Sequence, residues 1–204
     1  MSEVQATSLA ARDPAQLPAH QRERRRRIVT AALELLETGE YERVQMRDVA
    51  ERAGVALGTV YRYFTSKEHL YAATLVEWGA NHMGLADVIA EDQDTDELRL
   101  RGALHRTVRV LERWPQVMRT EMQLEVSTDE NARALLDRLS VRQHAVLRAA
   151  PRDLRPDVAE DVTRVCSSEL YRSMRSWALG RYSMSEVEHH LDACIRLIFS
   201  PPPS

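Results

Sequence analysis

Apolar residues recur at every third or fourth position across almost the whole chain, and no convincing stretch alternates with a period of two. Side chains sharing one face of a strand repeat every second residue, whereas those sharing a helix face repeat about every 3.6 residues. A chain patterned in this way builds helices. Glycine is scarce, at seven among 204 residues. The expected fold class is all-α, with about nine helices and no internal repeat.

The stops and starts place those helices. Residues 1–17 are polar and without periodicity, and read as a disordered tail. Ile28, Ala31, Ala32, Leu35 and Leu36 form one apolar stripe, which predicts a first helix over 20–38 that stops at Gly39. Met46, Val49, Ala50 and Ala53 make a short second helix ending at Gly54, and Leu57 to Phe64 make a third. Thr65 and Glu68 have capping-box spacing at the head of a long fourth helix, expected over 67–90. The acidic run EDQDTDE breaks the pattern, and its last carboxylates favour the start of a fifth helix over 95–113. Pro115 opens a sixth to about 126, and Ser127 with Glu130 caps a seventh to about 149. After the turn PRDLRP, an eighth runs over 156–179 to Gly180, and Ser183 with Glu186 caps a ninth.

Composition narrows the function classes. Hydrophobic residues at 44% and charged residues at 29% are a globular balance. No window approaches 18 consecutive apolar residues, so no membrane span is expected. The first twenty residues lack the apolar core of a signal peptide, so the expected location is the cytoplasm. Cys166 and Cys194 are too few for a disulfide framework. His189–His190 lacks carboxylate or cysteine partners at metal-ligand spacing, so neither metal nor cofactor is expected. Residues 20–70 carry ten basic against eight acidic side chains, and Arg22 with Arg24 to Arg27 concentrate the excess. Such a cluster fits an electrostatic footprint for nucleic acid and fits a solvated helix end equally well.

The second and third helices carry the sharpest pattern. In a helix-turn-helix the two helices cross closely, which requires a small residue at the crossing, and Ala50 stands there. The turn between them needs a left-handed backbone, which Gly54 tolerates. An apolar residue inside the second helix must plug back into the core, and Val60 follows Ala50 by ten positions. Leu57, Gly58, Thr59, Tyr61, Arg62 and Tyr63 then project from a helix of barely two turns. Thr, Tyr and Arg on a short helix suit a major groove, and Gly58 permits close approach of backbone to DNA. Phe64, and in part Tyr61, are expected in the core.

The run QMRDVAERAGVALGTVYRYFTSKEHL resembles the DNA-binding signature of TetR-type transcriptional regulators, and residues 22–78 follow it from end to end. The resemblance implies a helix-turn-helix domain over 18–66, a helical ligand-binding and dimerisation domain over 67–200, and a homodimer on a palindromic operator in double-stranded DNA. It implies that Arg47 reaches a base edge, that Thr59 and Arg62 face the groove, and that Tyr61 and Tyr63 meet phosphate or sugar. Lys67 stands where the family places a phosphate-contacting lysine. It is the chain's single lysine, and its compact ammonium suits one phosphate oxygen better than arginine's planar fork. Gln45–Met46 depart from the family, which usually has a hydroxyl residue at the head of the second helix. The segments QRERRRRI, GEYERVQMR, VALGTVYRYF and GRYSMSEVEHHLDACIRLIF are also similar to the actinobacterial repressors of sterol catabolism. That similarity implies a bulky, lipid-like effector such as a coenzyme A thioester.

The remaining helices are less specific. Trp78, His82, Met83, Val108 and Leu111 are helix-spaced apolar or amphipathic candidates for a ligand pocket, as are Trp114, Met118 and Met122. Ser167, Tyr171 and Glu121 are candidates for its polar contacts. Each of these residues also fits ordinary core. Val165, Met174, Trp177, Leu191, Ile195 and Ile198 are the candidates for a four-helix dimer interface. Cys166 and Cys194 fit small buried hydrophobes, with no basic cluster to activate a thiol. The expected function is a ligand-responsive regulator, a repressor released by a small apolar effector. An activator and a helical lipid carrier without DNA binding are the alternatives. An enzyme is disfavoured because no nucleophile elbow, zinc motif, phosphate loop or paired carboxylates stand out.

Overall fold

The computed structural model describes residues 14–84 and 94–200. The described residues form nine α-helices and no strand: α1 (Ala19–Thr38), α2 (Met46–Arg52), α3 (Leu57–Tyr63), α4 (Lys67–His82), α5 (Asp96–Glu112), α6 (Pro115–Leu124), α7 (Glu130–Arg148), α8 (Pro156–Ala178) and α9 (Met184–Phe199). Of the tail expected over 1–17, residues 1–13 lie outside the described residues, while Pro14–Gln16 form a 3-10 helix and Leu17 is buried. The fourth helix, expected to reach residue 90, ends at His82, where Met83 N–H still closes on Gly79 O at 3.0 Å. Residues 85–93 lie outside the described residues.

The helix ends follow local hydrogen bonding, and two caps differ from expectation. Ser66, not Thr65, caps α4, with its Oγ accepting from His69 N–H at 2.9 Å. Asp129, not Ser127, caps α7, with its carboxylate accepting from Ala132 N–H at 2.9 Å. Ser127 Oγ instead accepts from Asp129 N–H at 3.2 Å, one step before the helix. In both places adjacent Ser, Thr or Asp residues compete for the cap, and S/T-x-x-E spacing alone does not decide between them. The Ser183–Glu186 box on α9 forms as expected, with 2.7 Å between Ser183 N–H and the Glu186 carboxylate. At α2, where no hydroxyl cap is available, Gln45 N–H donates to Asp48 at 2.8 Å.

The chain divides into two compact units. The first holds the residues up to Glu77 together with Gln123–Asp137. Its core is built from Ile28, Ala32 and Leu36 of α1, Val49 of α2, Val60 of α3, then Phe64, Leu70, Tyr71 and Leu75, all essentially inaccessible. The second holds Trp78–Met122 and Arg138 onwards. There α9 packs on both α8 and α5, burying Val187, Leu191 and Ile195 beside Leu100 and Leu104.

One polar knot fastens the second unit. Asp96, in the first turn of α5, accepts from the backbone N–H groups of Arg152, Asp153 and Leu154 at 2.7–2.9 Å, and from Arg99. Arg99 also pairs with Asp153. Burial alone would raise the Asp96 pKa, but these donors hold it below the usual aspartate value. The PRDLRP turn is thereby tied to the head of α5. Asp96→Ala should lower unfolding free energy by about 3 kcal/mol, because it strands several buried donors. Since the folded carboxyl is the more acidic, its stabilisation is complete above the unfolded aspartate pKa and is lost as pH falls through the folded value. Urea titrations should therefore show a gap between wild type and variant at neutral pH that narrows below about pH 4.

Candidate nucleic-acid interface and ligand cavity

Gly54 adopts φ +63° between α2 and α3, the left-handed backbone that the turn needs. Val55 N–H returns to Ala50 O at 3.0 Å and Gly54 N–H to Glu51 O at 3.1 Å, which closes the end of α2. Ala50 is 4% exposed and Val60 0%, so the crossing residue and the plug both occupy the core. The opposite side of α3 is bare. Leu57 is 42% and Tyr61 47% exposed, with Gly58 and Arg62 beside them in the open. A Cβ placed on Gly58 would meet no atom within 4 Å. Nothing inside the protomer requires glycine there. Thr59 is half-buried.

Tyr63 departs from its expected place. It is 2% exposed, and its hydroxyl is buried without a hydrogen-bond partner among the described residues. The residue points into the core alongside Phe64, with the Arg62 guanidinium 5.7 Å from its ring centroid. An exposed tyrosine and a buried one, two positions apart, lie on different faces of so short a helix. Tyr61 is largely free of the core, and Tyr63 is part of it.

Around this face the charges are divided. Arg47 projects into solvent, its Nε 3.6 Å from the Asp48 carboxylate. The Lys67 ammonium sits 4.1 Å from the Tyr41 ring centroid and donates to Glu42 O at 3.4 Å. Burial pulls its pKa below the ordinary lysine value, opposed by Glu42, Glu68 and Asp48. The arginine cluster splits too. Arg22 donates to Leu17 O at 2.6 Å, Arg25 lies 5.1 Å over the Phe64 ring, and Arg26 is held by Glu23 at 2.9 Å. Arg24 and Arg27 have no ion pair or hydrogen bond among the described residues. Three of the five arginines therefore serve the protein's own packing and pairing.

The turn between α3 and α4 is gripped from far along the chain. Ser66 Oγ donates to the Asp129 carboxylate at 2.7 Å, and Asn131 Nδ2 to Thr65 Oγ1 at 3.2 Å. Gln123 Nε2 donates to Glu42 Oε1 at 2.7 Å. His69 is buried under this clasp, and burial lowers its pKa. No periodicity announces such long-range polar contacts, and sequence reading missed them.

The second unit contains a cavity of about 310 Å³. Of the candidates for a ligand pocket, Met83, Leu111, Met118, Glu121, Ser167 and Tyr171 line it. Trp78, His82 and Trp114 do not, because they pack on one another: Trp78 stacks on His82 at 5.3 Å, and Trp114 meets His82 at 5.1 Å. Val108 is buried elsewhere, and Met122 is half-buried outside the lining. The lining also includes Thr107, Ser140, Gln143, His144, Val146, Leu147, Ser168, Leu170 and Met174, which went unmarked as pocket residues.

The expected dimer residues divide similarly. Met174, Leu191 and Ile195 are 1% exposed or less within their own protomer, which removes them from any outer face. Val165 is 53% exposed, and Trp177 and Ile198 are half-buried. Leu179 and Leu197, at 46% and 79%, are exposed apolar positions that the periodicity did not single out. Burial pushes both thiols up, Cys166 far more strongly. Among the described residues no helix is long and apolar enough to cross a membrane. Because the Tyr63 hydroxyl is buried and unpartnered, Tyr63→Phe should leave DNA affinity within about twofold and raise stability by up to about 1 kcal/mol. Mobility shift and chemical denaturation check the two halves of that expectation.

Residues 28–74 match the family described as bacterial regulatory proteins, tetR family. The chain is 34% identical over 181 residues to the HTH-type transcriptional repressor KstR of Mycolicibacterium smegmatis, covering 87% of this chain and 88% of that one. Among solved structures it is similar to a TetR transcriptional regulator from Rhodococcus sp. RHA1, with a TM-score of 0.73, 26% identity, and coverage of 89% of this chain and 98% of that one. A more distant likeness, to FadR from Bacillus subtilis in complex with stearoyl-CoA, has a TM-score of 0.62, 17% identity and coverage of 86% and 97%, and shows the shared fold. With its helix-turn-helix and its match to KstR over most of both chains, this chain belongs to the TetR family of bacterial regulatory proteins.

Proposed function

We propose that the chain is a ligand-responsive repressor that binds a palindromic operator as a homodimer and leaves it when a small lipid-like effector fills the cavity. The observation carrying this reading is the continuity of α4. Lys67 opens that helix directly after the recognition helix, and Met83, the residue following its last turn, lines the cavity. A ligand shifts an equilibrium only by binding one state better than the other, and α4 is the stretch of chain that leads from the recognition helix to Met83. The relative's description as a repressor supports the sign of regulation. The stearoyl-CoA complex of FadR supports an acyl-thioester class of effector.

In this reading Leu57, Gly58, Thr59, Tyr61 and Arg62 enter the major groove, Arg47 reaches a base edge, and Lys67 neutralises one phosphate. One seven-residue helix reads too few base pairs for useful specificity. Two copies set about 34–36 Å apart, on successive grooves, meet the requirement. The exposed Val165 and Leu197, with half-buried Trp177 and Ile198, supply apolar surface on α8 and α9 for that pairing.

Footprinting on the DNA upstream of its own gene should reveal a palindrome, and protection of no sequence at low salt would sink the proposal. On that operator Lys67→Ala should weaken specific and random DNA alike and reduce the slope of log K against log salt by about one. An unchanged slope would remove Lys67 from the phosphates. Linkage supplies a further measurement: an acyl thioester that weakens operator binding must itself be weakened by saturating operator by the same factor. Equal effector affinity with and without operator would overturn the coupling.

A further inference from the structure

Lys67 has a seat within its own protomer. Its ammonium lies 4.1 Å from the Tyr41 ring centroid, nearer than Arg25 to the Phe64 ring at 5.1 Å or Arg62 to the Tyr63 ring at 5.7 Å. Lys67 and Tyr71 stand one turn apart on α4, and the Tyr41 ring meets both. Its centroid is 5.2 Å from that of Tyr71, edge to face at 87°. Tyr71 is fully buried, so the ring beneath the ammonium rests on the core. The next residue supplies a second contact, since Lys67 donates to Glu42 O at 3.4 Å. The Glu42 carboxylate is held in turn by Gln123 at 2.7 Å. Glu42, Glu68 and Asp48 lie close enough to favour ammonium over amine.

Immobilising a long, free side chain on binding costs affinity, and a side chain already held in place avoids that cost. A cation is drawn to the face of an aromatic ring. Resting on the phosphate reading of Lys67 above, we propose that Tyr41 is a positioning residue for DNA binding, whose ring holds the Lys67 ammonium at the head of α4 for one phosphate oxygen. Tyr41 acts through Lys67 and touches no DNA itself. An ammonium has three donors, so the contact with Glu42 O leaves others to point outward. A guanidinium is planar and stacks flat on an aromatic face, which turns its fork along the ring. The seat thus gives the chain's single lysine a reason that arginine does not share.

Because the chain has one lysine, full-length protein grown on lysine isotope-labelled at Cε gives one lysine signal. In the wild type its Cε protons should be displaced upfield by the Tyr41 ring current, and the signal should move again on adding a random-sequence duplex. A signal at the free-lysine position overturns the seat, and neither measurement needs a variant. Fluorescence anisotropy on the same duplex over a range of salt tests the consequence. Tyr41→Leu should weaken binding about two- to tenfold, the cost of immobilising one long side chain. Tyr41→Phe, which keeps the ring, should restore wild-type binding. In the Lys67→Ala background Tyr41→Leu should have no further effect. A loss of equal size in that background marks general damage to packing and overturns the positioning role, as does a Tyr41→Leu variant that binds like the wild type. A Tyr41→Phe variant as weak as Tyr41→Leu assigns the effect to the hydroxyl and overturns it too. The underlying reading fails separately: if Lys67→Ala leaves the salt slope unchanged and duplex leaves the lysine signal unmoved, Lys67 meets no phosphate, while the upfield signal of the seat persists.

Discussion

A helix of seven residues has no stability of its own in water, because nucleation costs more than one or two turns return. The position of α3 is therefore set entirely by what holds it. Val60, Tyr63 and Phe64 anchor one side in the core, and the Gly54 turn fixes its entry. At its exit the Ser66 cap on α4 is locked by Asp129. Everything outside those anchors is left for an external partner: the bare Gly58, the exposed Leu57 and Tyr61, and Arg62. The same economy explains the arginines of α1, which look like a single basic patch in the sequence. Arg25 and Arg22 brace the core and the N-terminal turn, Arg26 is paired, and only Arg24 and Arg27 remain uncommitted among the described residues.

The nine helices were legible because their ends carry local chemistry. Glycines at 54 and 180 adopt positive φ, Ser183 and Glu186 close a box, and the acidic pair Asp96–Glu97 opens α5. Errors arose where two neighbours could do the same task, as at Thr65 against Ser66 and Ser127 against Asp129. Periodicity states that a residue is buried and does not state against what. Ile195 and Leu191 repeat at helical spacing whether they face a partner subunit or α5, and they lie in their own protomer's core. Tyr63 was misread for a related reason: the family signature carries its residue type, while its burial depends on rotation about a short helix.

The cavity shows the same limit from the other direction. Large aromatic and sulfur-containing side chains suit ligand pockets, and Met83 and Met118 do line this one. Trp78, His82 and Trp114 satisfy each other first, because three rings within reach make a better mutual packing than an open wall. What lines the space in their stead comes largely from α7 and α8, where Ser140, Gln143 and His144 alternate with apolar residues such as Val146, Leu147, Leu170 and Met174. Ser140, Gln143 and His144 carry no sequence signal that separates them from a solvated helix face, and only their position around a void distinguishes them.

The unit that carries the recognition helix is discontinuous in sequence, formed by the residues up to Glu77 and the stretch Gln123–Asp137. A polypeptide leaves the ribosome in order, so α1 to α4 emerge well before Asp129, Asn131 and Gln123, the side chains that grip their turns. The nascent helix-turn-helix must wait for about sixty further residues before its clasp can close. During that interval the α3–α4 turn has only its local contacts, the Ser66 cap on His69 N–H and the apolar packing of Phe64 and Leu70. Completion of the DNA-binding part is thus tied to synthesis of the helices that enclose the cavity, and a chain interrupted between them leaves the reading head unfastened.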